Sequence, residues 1–174
     1  MSTTDTETHT IEEALERFAL VKGAGNRKDQ ACVMTALSWV AGQAWNDHLP
    51  CAHPLLNTWA IQGNDATGTT PEGRADILRA GATGILNTWW VPTEVVLSAW
   101  SQAPQDTGAV GRMVSVCAAV SEWKEDEAKP RAYLARADRA RANPTGANLP
   151  GACRTRAHTT GPSLTRHNRT RAAP

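Results

Sequence analysis

The chain has 174 residues, with 18 Lys and Arg against 17 Asp and Glu, and 7 Trp beside a single Tyr and a single Phe. Its length suits one domain with its own core, and no apolar run approaches the roughly 18 to 20 residues that a membrane-spanning helix needs. The first residues are polar and acidic, unlike a signal peptide, so we expect a cytoplasmic protein with no membrane partner.

The nearly balanced charge conceals an acidic body followed by a basic segment. Residues 1–128 carry 8 Lys and Arg and 16 Asp and Glu, a net charge of −8, whereas residues 129–174 carry 10 and 1, a net charge of +9. This separation predicts an arm that binds a polyanion, or one that folds back on its own acidic domain.

Helical periodicity begins directly after Thr10. Ile11, Leu15 and Phe18 are spaced as on the apolar face of a short amphipathic helix. A second helix is predicted to start with Asp29 as its N-cap and to end at the glycine in position 42.

The next two predicted helices begin at prolines. Pro54 suits the first turn of a third helix, and residues 63–70 have the composition of a loop. Thr70 and Pro71 then supply an N-cap and a first-turn proline for a fourth helix. Three glycines within this fourth helix predict that it is bent or broken.

Two more helices complete the predicted domain. Pro92 and Thr93 start the fifth, which runs through Trp100. The sixth has the strongest periodicity and is predicted to be the central core helix. Its apolar stripe consists of Val110, Met113, Val114, Cys117, Val120 and Trp123. Acidic residues at its C-terminal end oppose the helix dipole, so we expect a basic segment nearby, for which residues 131–142 are the candidate.

The predicted fold class is therefore all-α. We expect a disordered N-terminus over residues 1–9, one compact acidic domain of five or six helices over residues 10–142, and a disordered basic tail over residues 143–174. The tail is rich in Pro, Thr, Arg and Gly and contains no acid. Such a low-complexity segment cannot bury enough apolar surface to offset its ordering entropy.

Three interpretations of the tail are open. Its arginines would give salt-dependent contacts with a nucleic acid or another polyanion. Alternatively, the tail is passive or self-associating, or it is an unselected extension, because an alternative frame of GC-rich coding sequence has the same composition. The candidate polyanion contacts are Arg154, Arg156, Arg166, Arg169 and Arg171.

Four residues are potential metal ligands: Cys32 near the start of the second predicted helix, and His48, Cys51 and His53 in the loop that follows this helix. Thiolate and imidazole donors suit a tetrahedral zinc site, and the loop is long enough to bring Cys32 to the other three. Their spacing is not that of a standard zinc finger, however, and a cysteine on an apolar helix face is more often a small buried hydrophobe. Zinc is accordingly the one cofactor suggested. The alternative is that these residues have structural roles and that the protein binds no cofactor.

A nucleophilic thiol at Cys51 is the alternative chemistry. His48 or His53 would act as its base, and Asp47 would orient an imidazole. Residues so close in sequence reach this geometry only around a sharp turn, and no glycine-rich oxyanion loop accompanies them. Without an export signal, the four cysteines are expected to be reduced thiols.

The tryptophans provide the other candidate site. Most of the seven are expected in the core, where each buries a large area. Trp89 and Trp90 would point about 100° apart on a helix, so both cannot face the same core. Together with Trp45, they are the candidate binding surface for a base, a sugar or a partner protein, unless their exposure is incidental to a role in the core.

One short sequence occurs twice. LLNTWA at residues 55–60 is echoed by ILNTWW at residues 85–90. The echo is either coincidence in a tryptophan-rich chain or the mark of two related helices that pack through Trp59 and Trp89.

Part of the chain resembles a segment found in uncharacterised actinobacterial and actinophage proteins. The matching stretches are ACVM at 31–34, WVAG at 39–42, WNDH at 45–48 and PCAHP at 50–54. The resemblance implies a bacterial or phage origin and a helical fold, carries no known activity, and does not extend to the tail.

We therefore expect a non-enzymatic protein-interaction module. Its acidic, tryptophan-rich body would recognise a protein partner, and its arginine-rich tail would tune the association. A small zinc- or thiol-dependent enzyme centred on Cys51 and a nucleic-acid-associated protein that uses the tail are the alternatives.

Overall fold

The computed structural model describes residues 9–126 and Ala132. These residues form six helices and one two-stranded parallel β-pair around a hydrophobic core, which confirms the all-α class. The elements are α1 (Ile11–Arg17), β1 (Ala19–Leu20), β2 (Gln30–Ala31), α2 (Val33–Val40), α3 (Pro54–Asp65), α4 (Pro71–Gly84), α5 (Thr93–Gln102) and α6 (Gly108–Glu125). The predicted disordered N-terminus over residues 1–9, apart from His9, and the predicted disordered tail over residues 143–174 fall outside the described residues.

Helix α1 is fixed at its start by a reciprocal pair of hydrogen bonds. The Thr10 hydroxyl accepts from the Glu13 backbone N–H at 3.1 Å, and the Glu13 carboxylate accepts from the Thr10 N–H at 2.6 Å. The helix ends at Phe18, where the backbone becomes extended and enters β1.

No helix among the described residues combines the length and apolar character needed to cross a bilayer.

The predicted N-cap of α2 is wrong. Asp29 lies ahead of β2, and the N-cap is Cys32, whose Sγ accepts from the Thr35 N–H at 3.4 Å. The reason is tertiary: Gln30 and Ala31 pair with β1 in parallel register, which holds them in the extended conformation. The predicted end of the helix is confirmed, since Gly42 has the positive φ of a residue that follows a helix C-cap.

The predicted starts of α3 and α4 are confirmed. Helix α4 continues through Gly73 and Gly81 and ends at Gly84, so it is interrupted only at the last of its three glycines. Its glycines allow close packing. A side chain at Gly84 would overlap the backbone of Cys117 on α6, and one at Gly81 would come within 2.8 Å of Leu37 on α2.

Helix α6 packs against α3, α4 and α5, as predicted for the central helix. Its apolar stripe differs in one position, because Val116 is fully buried whereas Val114 is only partly so. The basic segment expected beside its C-terminal end, residues 131–142, falls outside the described residues apart from Ala132.

Lys124 of α6 contacts the C-terminal end of α4. The Lys124 ammonium donates to the carbonyls of Thr83 and Leu86, at and just beyond the C-terminal end of α4. A cation in this position satisfies carbonyls left free by the helix and complements its dipole. Burial lowers the pKa of Lys124 from its usual value.

Candidate functional site

The loop between α2 and α3 is tied to the turn that follows α4. The backbone N–H groups of Thr88 and Trp89 both donate to the carbonyl of Cys51, at 2.9 and 3.1 Å. The His53 N–H donates to the Thr88 hydroxyl at 2.8 Å. On the other side, the Asn57 side chain donates to the carbonyl of Leu49 at 3.1 Å. These bonds make the loop a structural junction.

The four predicted metal ligands have separate environments. Cys32 is a buried free thiol that caps α2. The His48 ring is 67% exposed and its Nδ1 lies 2.9 Å from an oxygen of Asp47. Cys51 is fully buried and disulfide-bonded, so the expectation of four reduced thiols is wrong at this residue. Among residues 9–126, no three Cys, His, Asp or Glu side chains form a group suited to a metal ion.

His53 links the first turns of two helices. Its Nδ1 accepts from the Leu55 N–H at 3.2 Å and so caps α3, while its Nε2 lies 3.1 Å from the Thr93 hydroxyl of α5. Because Nδ1 accepts, the neutral ring carries its proton on Nε2 and donates to Thr93. Burial lowers the pKa of His53, which favours this neutral form.

A cleft of about 610 Å³ opens where α3 and α5 begin. It is lined by His53, Pro54, Leu55, Trp89, Val91, Pro92, Thr93 and Glu94. Glu94 supplies the negative charge of this lining, and the neutral His53 does not offset it. The cleft is therefore poorly suited to an anion despite the two helix N-termini beside it.

All seven tryptophans are partly exposed and pack on the edge of the core. Each therefore buries much of its surface against the core, as expected, but none is fully buried, and the fully buried large side chains are aliphatic or methionine. Trp45 packs edge-on against Phe18 near α1, with ring centroids 5.5 Å apart. Trp89 lines the cleft beside His53, and Trp90 lies 5.7 Å from Trp123. The predicted surface is thus divided, with Trp45 beside Phe18 and the other two beside α5.

Three elements meet in a layered stack. Trp59 of α3 lies on Trp100 of α5, with centroids 4.1 Å apart, and the guanidinium of Arg112 from α6 lies 3.8 Å from the Trp100 centroid. Arg112 also donates to the Trp100 carbonyl at 3.2 Å. The repeated LNTW sequence is helical only in its first copy, so the alternative of two related helices that pack through Trp59 and Trp89 is wrong.

A second cleft, here called the α5–α6 groove, has a volume of about 460 Å³. Its lining residues are Glu94, Val95, Ser98, Ala99 and Gln102 of α5, with Ala119, Glu122 and Trp123 of α6. Val95, Ala99 and Trp123 belong to, or pack on, the core and give the groove its apolar part. Exposed Glu94 and Glu122 give it a negative rim. Among the residues that the structure describes, no base lines it.

Sequence reasoning missed this groove, although Val95, Ala99 and Gln102 share one face of a helix at positions i, i+4 and i+7. The missing information was which helix would lie beside that face. The five tail arginines predicted to contact a polyanion fall outside the described residues.

Together, the fold and these surfaces define an all-α protein in which two of the clefts border α5, each of them lined by a tryptophan. No family model, no curated protein and no solved structure matches the chain.

Proposed function

We propose that this protein is a non-enzymatic protein-interaction module whose acidic helical body binds a protein partner. The observation that carries the proposal is the partial exposure of every tryptophan around an aliphatic core. Tryptophan combines a large apolar surface with a polar N–H and is enriched among the residues that dominate binding energy at interfaces.

Apolar exposure is concentrated around α5, which supports this side of the molecule as the binding face. Trp89 and Trp90 precede the helix, Trp100 lies near its end, and Leu97 on its outer side is 49% exposed. Residues 1–128 carry a net charge of −8, so a cationic partner would be drawn to the body by long-range attraction.

The enzyme alternative receives less support from the geometry. Cys51 is disulfide-bonded, and the rings of His48 and His53 are engaged by Asp47 and Thr93 respectively. Zinc binding by Cys32, His48, Cys51 and His53 stays a prediction, as does nucleic-acid binding through the tail. A bacterial or phage origin likewise stays a proposal based on the resemblance at residues 31–54.

Site-specific photo-crosslinking tests the proposal. A photoreactive residue replaces Leu97 on α5 in one variant and Gln62, an exposed position on α3, in a matched variant. We expect irradiation in cells to give a discrete adduct with one protein from position 97 and none from position 62. Excess unlabelled chain should suppress the adduct. Equal, diffuse crosslinking from both positions would contradict a specific binding face.

A further inference from the structure

The α5–α6 groove combines an apolar part with a rim of a single charge sign. Glu94 and Glu122 face solvent on opposite helices. Among the described residues, the nearby bases Lys124 and Arg112 have other partners, because Lys124 binds carbonyls at the end of α4 and Arg112 stacks on Trp100. Within this part of the chain, neither base pairs with the carboxylates of Glu94 and Glu122, which are therefore open to a cation.

The walls of the groove determine which kind of peptide fits it. Both walls are helices, whose backbone N–H and C=O groups are paired within each helix. An extended strand would find no free backbone edge to pair with, whereas a helix brings its own satisfied backbone and offers side chains alone. Helix α5 has 10 residues and is about 15 Å long, which allows about three turns of a bound helix to lie along it.

We infer that the α5–α6 groove binds a cationic amphipathic helix of a partner protein. The apolar face of that helix packs on Val95, Ala99 and Trp123, and its Lys or Arg side chains pair with Glu94 and Glu122. The inference rests on the proposed interaction function and names its surface and the chemistry of the partner. Polyanions are disfavoured at this surface by the same two carboxylates.

Fluorescence anisotropy with the full chain tests the inference. The probe is a labelled 16-residue synthetic helix with Leu and Ala on one face and Lys on the other, and the control probe has Glu in place of Lys. We expect saturable binding of the Lys probe that weakens as salt is raised, and no binding of the Glu probe. Equal binding of both probes would overturn the charge complementarity.

A matched pair of variants locates the binding. Ser98 lines the groove, whereas Ser101, one turn further along α5, is exposed and does not line it. Ser98→Trp should fill the groove and weaken probe binding by at least about tenfold, while Ser101→Trp should leave it within about twofold. Both positions are exposed, so neither change should prevent folding. Equal affinities of the two variants would overturn the location.

A second pair of variants distinguishes the effect of the two rim carboxylates on binding from the effect of the protein's overall negative charge. We expect Glu94→Gln with Glu122→Gln to weaken binding about three- to tenfold, as for two exposed ion pairs. Glu12→Gln with Glu16→Gln removes the same charge from α1, which packs on α2 and α4, and should leave the affinity within about twofold. Equal losses would mean that general attraction to an acidic body, rather than this groove, holds the probe.

Two outcomes separate this inference from the proposed function. The first outcome is that position 97 crosslinks a partner and that Ser98→Trp does not reduce this crosslinking. That result would support the interaction function but overturn the groove as the binding site. The second outcome is that the probe binds only after four arginines are changed to Gln: Arg131, Arg136, Arg139 and Arg141. That result would show that the chain's own basic segment occupies the groove, and it would overturn the inference of a separate partner. Absence of both the adduct and probe binding would overturn both proposals.

Discussion

The indole of Trp59 lies on the indole of Trp100, with ring centroids 4.1 Å apart and ring planes inclined by 22°. This contact joins α3 to α5, and Arg112 of α6 covers Trp100 with its guanidinium. A stack of two indoles and a cation gains both dispersion and cation–π attraction. The three helices are therefore held together by partly exposed side chains at the edge of the aliphatic core.

We expect Trp100→Ala to lower the free energy of unfolding by about 2 kcal/mol or more, since it removes a partly buried indole and leaves Trp59 and Arg112 without their common partner. Trp100→Phe keeps an aromatic surface and should cost less than half as much. Urea denaturation followed by circular dichroism measures both. Equal losses for the two variants would show that an aromatic ring at position 100 does not by itself retain the contact with Trp59 and Arg112.

Gly84→Ala should destabilise the protein, although alanine favours helices over glycine by about 1 kcal/mol. The added methyl would overlap the Cys117 backbone, so α4 and α6 would have to separate, and we expect a net loss of about 2 kcal/mol. Gly73→Ala is the matched control, because its nearest contact is a Val110 side-chain methyl at 3.2 Å. Thermal denaturation should rank Gly84→Ala well below Gly73→Ala, and the reverse order would contradict the close approach.

Stability should fall as the pH is lowered below about 6.5 because of His53. Burial lowers the pKa of His53 in the folded state below its ordinary value of 6.5, so the unfolded chain binds the proton more readily. Its stabilising contribution is complete above the unfolded pKa and is lost as the pH falls toward the folded pKa. The slope cannot exceed about 1.4 kcal/mol per pH unit for one group.

A variant of this histidine isolates the effect. His53→Asn keeps a side chain that caps helices well and removes the titration, so the dependence of unfolding free energy on pH between about 7 and 5.5 should flatten. A profile that keeps its full slope in His53→Asn would show that the assignment to His53 is wrong.

The cap at Cys32 gives a prediction that separates structure from metal binding. Serine is a strong N-cap residue, so Cys32→Ser should preserve stability, whereas Cys32→Ala should cost about 1 kcal/mol through loss of the bond to the Thr35 N–H. Chemical denaturation of protein purified without chelator checks both. Stoichiometric zinc in the wild type that is lost in Cys32→Ser would instead support the predicted site with His48, Cys51 and His53.

Cys32 and Cys117, the free thiols among the described residues, should resist alkylation in the native state. Cys32 and Cys117 are both buried, and burial raises the pKa of Cys117 to about 12, so its thiolate is scarce at neutral pH. We expect mass spectrometry to find neither residue modified before denaturation and both modified after it. Rapid native alkylation of Cys117 would show that α4 and α6 separate readily.

Local signals in the sequence determined most of the helices. Thr70 and Pro71 start α4, Pro54 starts α3, and the periodicity over 110–123 defines α6, because caps and amphipathic faces act within one or two turns of the chain. The repeated LNTW shows the limit of such signals. Its first copy is part of α3, whereas its second follows the end of α4 and contains Asn87 with φ +57.

What the tertiary structure alone decided was which surfaces meet. Asp29 is an acceptable N-cap by composition, but the pairing of Ala31 with Leu20 moved the helix start to Cys32. The stacking of Trp59 on Trp100 and the groove between α5 and α6 depend in the same way on contacts between residues far apart in sequence. Periodicity tells which face of a helix is apolar, but the partner of that face is set by packing of the whole core.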